Sequence, residues 1–233
     1  MIKKYRSKII SIKNPLEEIY TLEFESLSGP FKYLPGQFLH LALDSDYDGS
    51  GQWPESRCFS MQSNPSEPNL RITYSLKGSF TRLMTHSLRI GSEVWLKLPY
   101  GDLFSQDHTK ENTVFIAGGT GITPFLSLFT DPSFAEYHKS RIYLGFRSIF
   151  HNIYKNELSR IANYHYPENL PIVSYYYQDE KGLIDIVQIL KENNHFTSFF
   201  ISGPPVMIRN FKGYLLKNGI HNDQVKTDDW GLL

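Results

Sequence analysis

The stretch Val114-Phe115-Ile116-Ala117-Gly118-Gly119-Thr120-Gly121-Ile122-Thr123-Pro124-Phe125-Leu126-Ser127-Leu128 constrains this chain more than any other. A short apolar run ends in glycines, and an apolar-periodic segment follows. That succession reads as a buried strand, a tight turn and a helix start. Glycines let a backbone approach a ligand with no Cβ in the way. The N–H groups of a first helical turn then face the ligand, with the positive end of the helix dipole behind them. The natural guest is a phosphate or pyrophosphate. Gly119 and Gly121 supply the first two glycines of a dinucleotide fingerprint, but Pro124 stands where the third belongs. No Gly-Lys-Ser/Thr follows, which excludes a Walker-type phosphate loop. Taken alone, the stretch fits a nucleotide loop and a plain glycine turn equally.

The 233 residues suffice for one large domain or two small ones, each with its own core. Lysine and arginine number 24, and so do aspartate and glutamate, so bulk charge favours neither nucleic acid nor an anionic membrane as partner. No apolar run is long enough to span a bilayer. The basic start Met1-Ile2-Lys3-Lys4-Tyr5-Arg6 is followed only by Ile9-Ile10, too short for a signal-peptide core, so a cytoplasmic location is expected. A monomer is also expected. The single cysteine, Cys58, excludes an internal disulfide and a four-cysteine iron–sulfur or zinc site within this sequence. The eight histidines are scattered, with none paired at metal-ligand spacing, so no metal is expected.

Along the chain, residues 5–25 are rich in β-branched side chains, and Asn14-Pro15 marks a turn between two strands. Residues 31–41 read as a turn feeding a third strand. The acidic, glycine-containing segment 44–56 reads as a solvated connection. Residues 57–61, 70–76 and 93–98 read as further strands, and 79–88 as one short helix. After residue 108 the rhythm changes. Strand-like runs at 113–117, 141–146, 171–176 and 198–202 alternate with helical ones at 122–129, 149–162, 183–191 and 206–217. Leu183, Val187 and Leu190 share one helical face, and Met207, Phe211 and Leu215 another. The expected architecture is two-domain. A six-stranded antiparallel β-barrel over 1–108 precedes an α/β parallel-sheet nucleotide-binding domain over 109–233.

Two short motifs in the barrel carry chemistry. In Arg57-Cys58-Phe59-Ser60, strand alternation puts Arg57 and Phe59 on one face. A guanidinium beside an aromatic ring suits a ligand with a phosphate and a flat ring; an arginine simply packed on a phenylalanine at a barrel edge is the plainer alternative. Gly78-Ser79-Phe80-Thr81 opens the short helix and offers hydroxyls and helix N–H groups to an anion, or else is an ordinary helix cap.

Taken in order, these motifs resemble the ferredoxin–NADP reductase superfamily over nearly the full length. Its members carry Pro-Gly-Gln-Phe, Arg-x-Tyr-Ser, Gly-x-x-Ser/Thr, Gly-Pro-x-Gly-x-Phe, Gly-Gly-Thr-Gly-Ile-Thr/Ala-Pro and Cys-Gly-Pro-x-x-Met. The counterparts here are Pro35-Gly36-Gln37-Phe38, Arg57-Cys58-Phe59-Ser60, Gly78-Ser79-Phe80-Thr81, Leu98-Pro99-Tyr100-Gly101-Asp102-Leu103-Phe104, Gly118 to Pro124, and Ser202-Gly203-Pro204-Pro205-Val206-Met207. The resemblance implies FAD in the barrel and NADH or NADPH in the α/β domain. It implies Arg57 and Gly78, Ser79, Phe80 and Thr81 on the FAD pyrophosphate, Phe59 stacked on the isoalloxazine, and Ser60 near flavin N5. Cys58 and Tyr74 join the expected cofactor contacts. Gly119, Thr120, Gly121, Thr123 and Pro124 are expected on the nicotinamide dinucleotide, Gly203 and Pro204 at the nicotinamide, and Arg147 at the adenosine ribose. Ser60, Ser202 and Trp230 are the expected catalytic positions.

Departures from the family pattern are Phe59 for Tyr, Leu98 for Gly and Ser202 for Cys. Trp230 holds the place of a late aromatic residue that lies on the flavin in this family. Arg147 suits a 2′-phosphate, yet Gln178-Asp179-Glu180-Lys181 adds mixed charge and no second arginine stands nearby, so NADH and NADPH both remain open. The implied function is a flavoprotein reductase. It takes a hydride from NAD(P)H onto FAD and passes electrons to a protein carrier such as ferredoxin or flavodoxin. A flavin reductase, a non-catalytic electron-transfer subunit of a larger redox complex, and a nucleotide-binding sensor without turnover are the alternatives.

Overall fold

The computed structural model of the chain describes residues 1–44, 46–165 and 172–228. Two compact units divide it. Met1–Asp102 together with Thr123–Asp131 forms the first, and Leu103–Ile122 with Pro132–Leu233 forms the second.

The first unit is built on six antiparallel strands: β1 (Lys3–Leu16), β2 (Ile19–Ser26), β3 (Phe38–Ala42), β4 (Ser56–Ser60), β5 (Leu70–Ser75) and β6 (Glu93–Tyr100), in the order β4-β3-β6-β1-β2-β5. The sheet curls on itself. Just beyond β4, Gln62 N donates to Arg71 O of β5 at 2.8 Å, which joins the two ends of the strand order. Period-two alternation fills the interior with Tyr5 and Ile9, Leu22 and Phe24, Leu39 and Leu41, Ile72 and Tyr74, and Leu96 and Leu98. Helix α1 (Ser79–Ser87) adds Phe80 and Met84 to this core. Each such side chain withdrawn from water stabilises the fold by about 1.5–3 kcal/mol before entropy is counted.

One expectation in this unit is corrected. Asn14-Pro15 lies inside β1, and the reversal comes at Glu17-Glu18, where Glu18 is left-handed at φ 62°. The Asn14 side-chain amide donates to Leu16 O and Ile19 O at 2.8 Å each, so the asparagine braces the turn from within the strand. The described residues of segment 44–56 are mostly exposed, as a solvated connection should be, and a few contacts anchor it to the barrel. Trp95 Nε1 donates to Tyr47 O at 2.7 Å, the Tyr47 ring meets Trp95 and Trp53 edge-on, and the Lys4 ammonium donates to Gly49 O at 2.9 Å.

The second unit holds a five-stranded parallel sheet of β7 (Thr113–Gly118), β8 (Arg141–Phe146), β9 (Ile172–Tyr177), β10 (Ser198–Ser202) and β11 (Val225–Thr227), in the order β11-β10-β7-β8-β9. The connecting helices are α3 (Lys155–His165), the single turn α4 (Gln178–Lys181), α5 (Ile186–Lys191) and α6 (Pro205–Lys217). Asp185 caps α5 by accepting from Val187 N and Gln188 N. The apolar face of this region differs from expectation. Leu190 packs on the core as expected, but Leu183 is 73 % exposed and Val187 37 %, while Ile184, Ile186 and Ile189 enter the core. The helix starts at Ile186, later than the sequence pattern predicts, so its phase shifts. Met207, Phe211 and Leu215 all pack on the core, as the α6 pattern predicts. On the other side of the sheet, Phe104, Phe115, Phe200, Phe134, Tyr137 and His108 form an aromatic layer, with Phe115 stacked on Phe200 at 5.5 Å.

Helix α2 (Thr123–Phe129) follows the glycine loop in sequence but belongs to the first unit. There its Ser127 Oγ accepts from Gly36 N at 2.8 Å, and Asn64 Nδ2 donates to Thr130 O one residue past its end.

Candidate functional site

In the first unit the two motifs read as anion sites converge. Strand β4 carries Arg57, and the guanidinium lies over the Phe80 ring in the first turn of α1, 5.1 Å from its centroid. Arg57 also pairs with Glu55 at 3.0 Å, with about half of its own side chain and three quarters of that of Glu55 exposed, so the pair contributes little. Thr81 is committed to the turn. Its hydroxyl accepts from Lys77 N at 3.0 Å and Gly78 N at 3.2 Å and donates to Gly78 O. Ser79 is left as the side-chain hydroxyl at the mouth of the helix.

Phe59 and Tyr74 meet edge-on at 5.9 Å, and Tyr20 stacks on Tyr74 at 5.6 Å. Phe59 is only 8 % exposed and Ser60 7 %. Burial pushes the Tyr74 hydroxyl upward, with Thr85 as its hydrogen-bond partner at 3.4 Å, so it stays protonated. Cys58 faces the opposite side of β4, across from His40, whose Nε2 lies 3.5 Å from Sγ. Burial raises the thiol and, together with the Lys97 ammonium, lowers the imidazole. Both groups are therefore held neutral, and Cys58 is a packed thiol. Arg57 meets Phe80, and Phe59 meets Tyr74; Cys58 faces away from both pairs.

In the second unit the strand order itself marks a place. From β7 the chain goes outward through β8 and β9, then returns to the other side of β7 for β10 and β11. The carboxyl ends of β7 and β10 therefore diverge into different connections, and open α/β sheets bind ligands in that crevice. The carboxyl end of β7 is Gly118, followed by the turn Gly119–Ile122, and that of β10 is Ser202, followed by Gly203 and Pro204. The two segments touch backbone to backbone. A Cβ on Gly121 would stand 2.5 Å from Gly203 Cα and N. Gly119, at φ 55°, has nothing within 4 Å of the same position, so open space lies above it. Gly121 thus serves close packing, and Gly119 the turn.

Two further residues complete this edge. Ser202, 2 % exposed, donates from Oγ to Asp228 Oδ2 at 3.1 Å, and Asp228 N donates to Ile201 O at 3.0 Å. Asp228 is a partner the motifs did not single out. It sits just past β11, a three-residue strand with too little pattern to be read in advance. Arg147 is exposed just past β8, and its carbonyl accepts from Asp179 N at 3.2 Å. Thr123 and Pro124 are buried at the start of α2, in the first unit. Trp230 lies outside the described residues. A polar cleft of about 580 Å³ opens at the other, amino edge of the sheet, lined by Asn112, Arg141 and Asn194 among others, and holds none of the expected residues. Among the described residues no helix is long and apolar enough to cross a membrane, and no cluster of three metal-ligating side chains occurs.

Residues 115–212 match the family model described as an oxidoreductase NAD-binding domain. The propane 2-monooxygenase reductase component of Mycolicibacterium goodii is 26 % identical, over 98 % of this chain and 68 % of that protein. Among solved structures, a ferredoxin NADP+ reductase from Neisseria gonorrhoeae with bound FAD and NADP superposes with a TM-score of 0.77 at 18 % identity, over 97 % of this chain and 98 % of that one. A flavohemoglobin from Malassezia yamatoensis with bound FAD and heme gives 0.77 at 20 % identity, over 98 % of this chain and 60 % of that one. Both structural likenesses establish the two-part fold. The chain spans about two thirds of the length of this reductase component.

Proposed function

We propose, from the premise that this chain belongs to the ferredoxin–NADP reductase superfamily, that it is an NAD(P)H-dependent flavoprotein reductase that hands electrons to a partner protein. The observation that carries the reading is the meeting of Gly119–Gly121 with Gly203-Pro204 at the crevice where the strand order of the parallel sheet turns back. Residues 109–233 would hold the nicotinamide nucleotide there, and 1–108 would hold FAD.

The chain's own residues fit the flavin. Arg57 and the start of the nine-residue helix α1 offer positive charge to a pyrophosphate, and the Phe80 ring holds the guanidinium in place. Phe59 and Tyr74 offer an aromatic wall beside it. When bound, FAD supplies the two-electron acceptor for hydride and the one-electron steps that follow. The protein's part is to bind, to orient and to exclude water. Gly119 and Thr120 leave room for the dinucleotide, Ser202 and Asp228 fix the edge beside Gly203, and Arg147 stands at the end of β8 where an adenosine ribose would lie. Ser60 is assigned the place near flavin N5, and Trp230 the cover of the flavin face. NADH and NADPH both fit this assignment. A monooxygenase reductase component among the relatives supports a protein acceptor over free flavin.

The test is spectroscopic. The purified protein, reconstituted with FAD, is titrated anaerobically with NADH and with NADPH while flavin absorbance is followed. Bleaching by one of them supports the reading. A protein that binds FAD but is bleached by neither would rule out the reductase, and one that retains FMN in preference to FAD would overturn the cofactor.

A further inference from the structure

Met207 stands in the first turn of α6, above the place where the two glycine segments of the second unit touch. The space there is tight. A Cβ on Gly118 would lie 3.0 Å from Met207 Sδ, and one on Gly203 would lie 2.8 Å from Met207 Cε. The thioether is therefore the filler that seats Gly118 and Gly203, the residues ending β7 and following β10, against one another. Of the chain's four methionines, Met61 and Met84 are fully buried and Met1 is the exposed first residue. Met207 is partly exposed while packing on the core. It alone joins access from solvent to a structural duty.

We propose that Met207 is an oxidant-sensitive modification site, and that its conversion to the sulfoxide loosens the Gly118–Gly121 and Ser202–Gly203 segments. The oxidant is a peroxide. The sulfur attacks one peroxide oxygen, the O–O bond breaks, and an S–O bond forms. Sulfur gives up two electrons, and with hydrogen peroxide the other oxygen leaves as water. An apolar, flexible side chain becomes a polar one. The sulfoxide oxygen needs hydrogen-bond partners, and burying it without them is costly. The contacts with Gly118 and Gly203 leave no room for water on that side. The side chain turns outward to be hydrated, and the two backbone segments lose the group that held them together. The consequence for coenzyme affinity rests on the function proposed above; the loosening itself does not.

The experiment treats the full-length protein and Met207→Leu, which keeps an apolar side chain of similar volume without the sulfur, with hydrogen peroxide. Peptide mass mapping follows the added oxygen at each methionine. Hydrogen exchange follows residues 118–121 and 202–203, and fluorescence titration follows NAD(P)H affinity. Each protein is compared with its own untreated sample. The expected result is oxidation at Met207 about tenfold faster than at Met61 or Met84. Faster exchange in both segments should accompany it, with reversal by methionine sulfoxide reductase and no change in exchange in Met207→Leu. Oxidation of Met207 no faster than of Met61 and Met84, or oxidation that leaves exchange unchanged, overturns the proposal. If untreated protein binds no NAD(P)H, the proposed function fails by that result, while mapping and exchange still decide the fate of Met207.

Discussion

Ser202 Oγ donates to Asp228 Oδ2 across 3.1 Å, and the Asp228 main chain is tied to Ile201 by a second bond of 3.0 Å. A residue 26 positions later in the chain is thereby fastened to the carboxyl end of β10. Because the hydroxyl gives its proton to the carboxylate, Ser202 turns lone pairs, not a donor, to its other neighbours. A hydrogen bond to a charged group contributes about 1.5–3 kcal/mol when one partner is lost. Ser202→Ala should keep its flavin and slow flavin reduction by NAD(P)H about tenfold in stopped-flow traces, with a partial return in Ser202→Cys. An unchanged reduction rate with lowered thermal stability would make Ser202 a clamp for Asp228 and nothing more.

Arg57→Ala should release flavin. It removes a charge-assisted contact of about 1.5–3 kcal/mol, roughly ten- to a hundredfold in affinity. The guanidinium is held by Phe80 at 5.1 Å, so Phe80→Leu should lower affinity by a smaller factor through loss of orientation. Equilibrium dialysis of FAD against the three proteins separates these effects. Wild-type affinity in Arg57→Ala would remove the arginine from the site.

The two glycines of the loop should behave differently. A side chain on Gly121 collides with the Gly203 backbone at 2.5 Å, so Gly121→Val should fold poorly and melt lower. At Gly119 the space is open, although φ 55° strains any residue with a Cβ. Gly119→Asn tolerates that backbone and should stay folded while raising the KM for NAD(P)H. Thermal melts and steady-state kinetics on the same samples check both halves. An unchanged KM in a folded Gly119→Asn places the coenzyme elsewhere.

His108 should make stability fall in acid. Its Nδ1–H donates to Gln106 O and its Nε2 accepts from the Tyr137 hydroxyl, each at 2.6 Å, which defines a neutral ring. Burial lowers its pKa first, with the Lys110 and Lys226 ammonium groups acting in the same direction. The unfolded chain therefore binds this proton more readily, and stability rises with pH. The contribution is full above the ordinary histidine value of about 6.5 and is lost as pH falls from there through the lowered folded value. Urea unfolding between neutral pH and pH of about 5 should show this slope, and His108→Gln should flatten it. His40, lowered by burial and Lys97, adds to the same slope and is the control substitution.

Much of this molecule could be read from its sequence alone, because the signals are local. Apolar runs bounded by glycine and proline placed β8 and β10 to the residue, and the change of rhythm after residue 108 separated antiparallel from parallel structure. The motif order placed Arg57, Gly78, Gly119 and Gly203 on the right elements. What it could not place depends on residues distant in sequence. Segment 44–56 reads as solvated and is largely exposed, but only the fold shows that the Tyr47 ring anchors it on Trp95. Leu183 fits a helical face by spacing, but the helix begins at Ile186 and buries Ile189 in its stead. Gly121 reads as a phosphate glycine, and only the fold brings Gly203 against it. Asp228 belongs to an acidic–aromatic tail in the sequence, but its tie to Ser202 exists only once β11 pairs with β10 and carries it there. Periodicity and turn chemistry act within a few residues and are written in the sequence; close packing between distant backbones is a property of the folded sheet, and only the tertiary structure decides it.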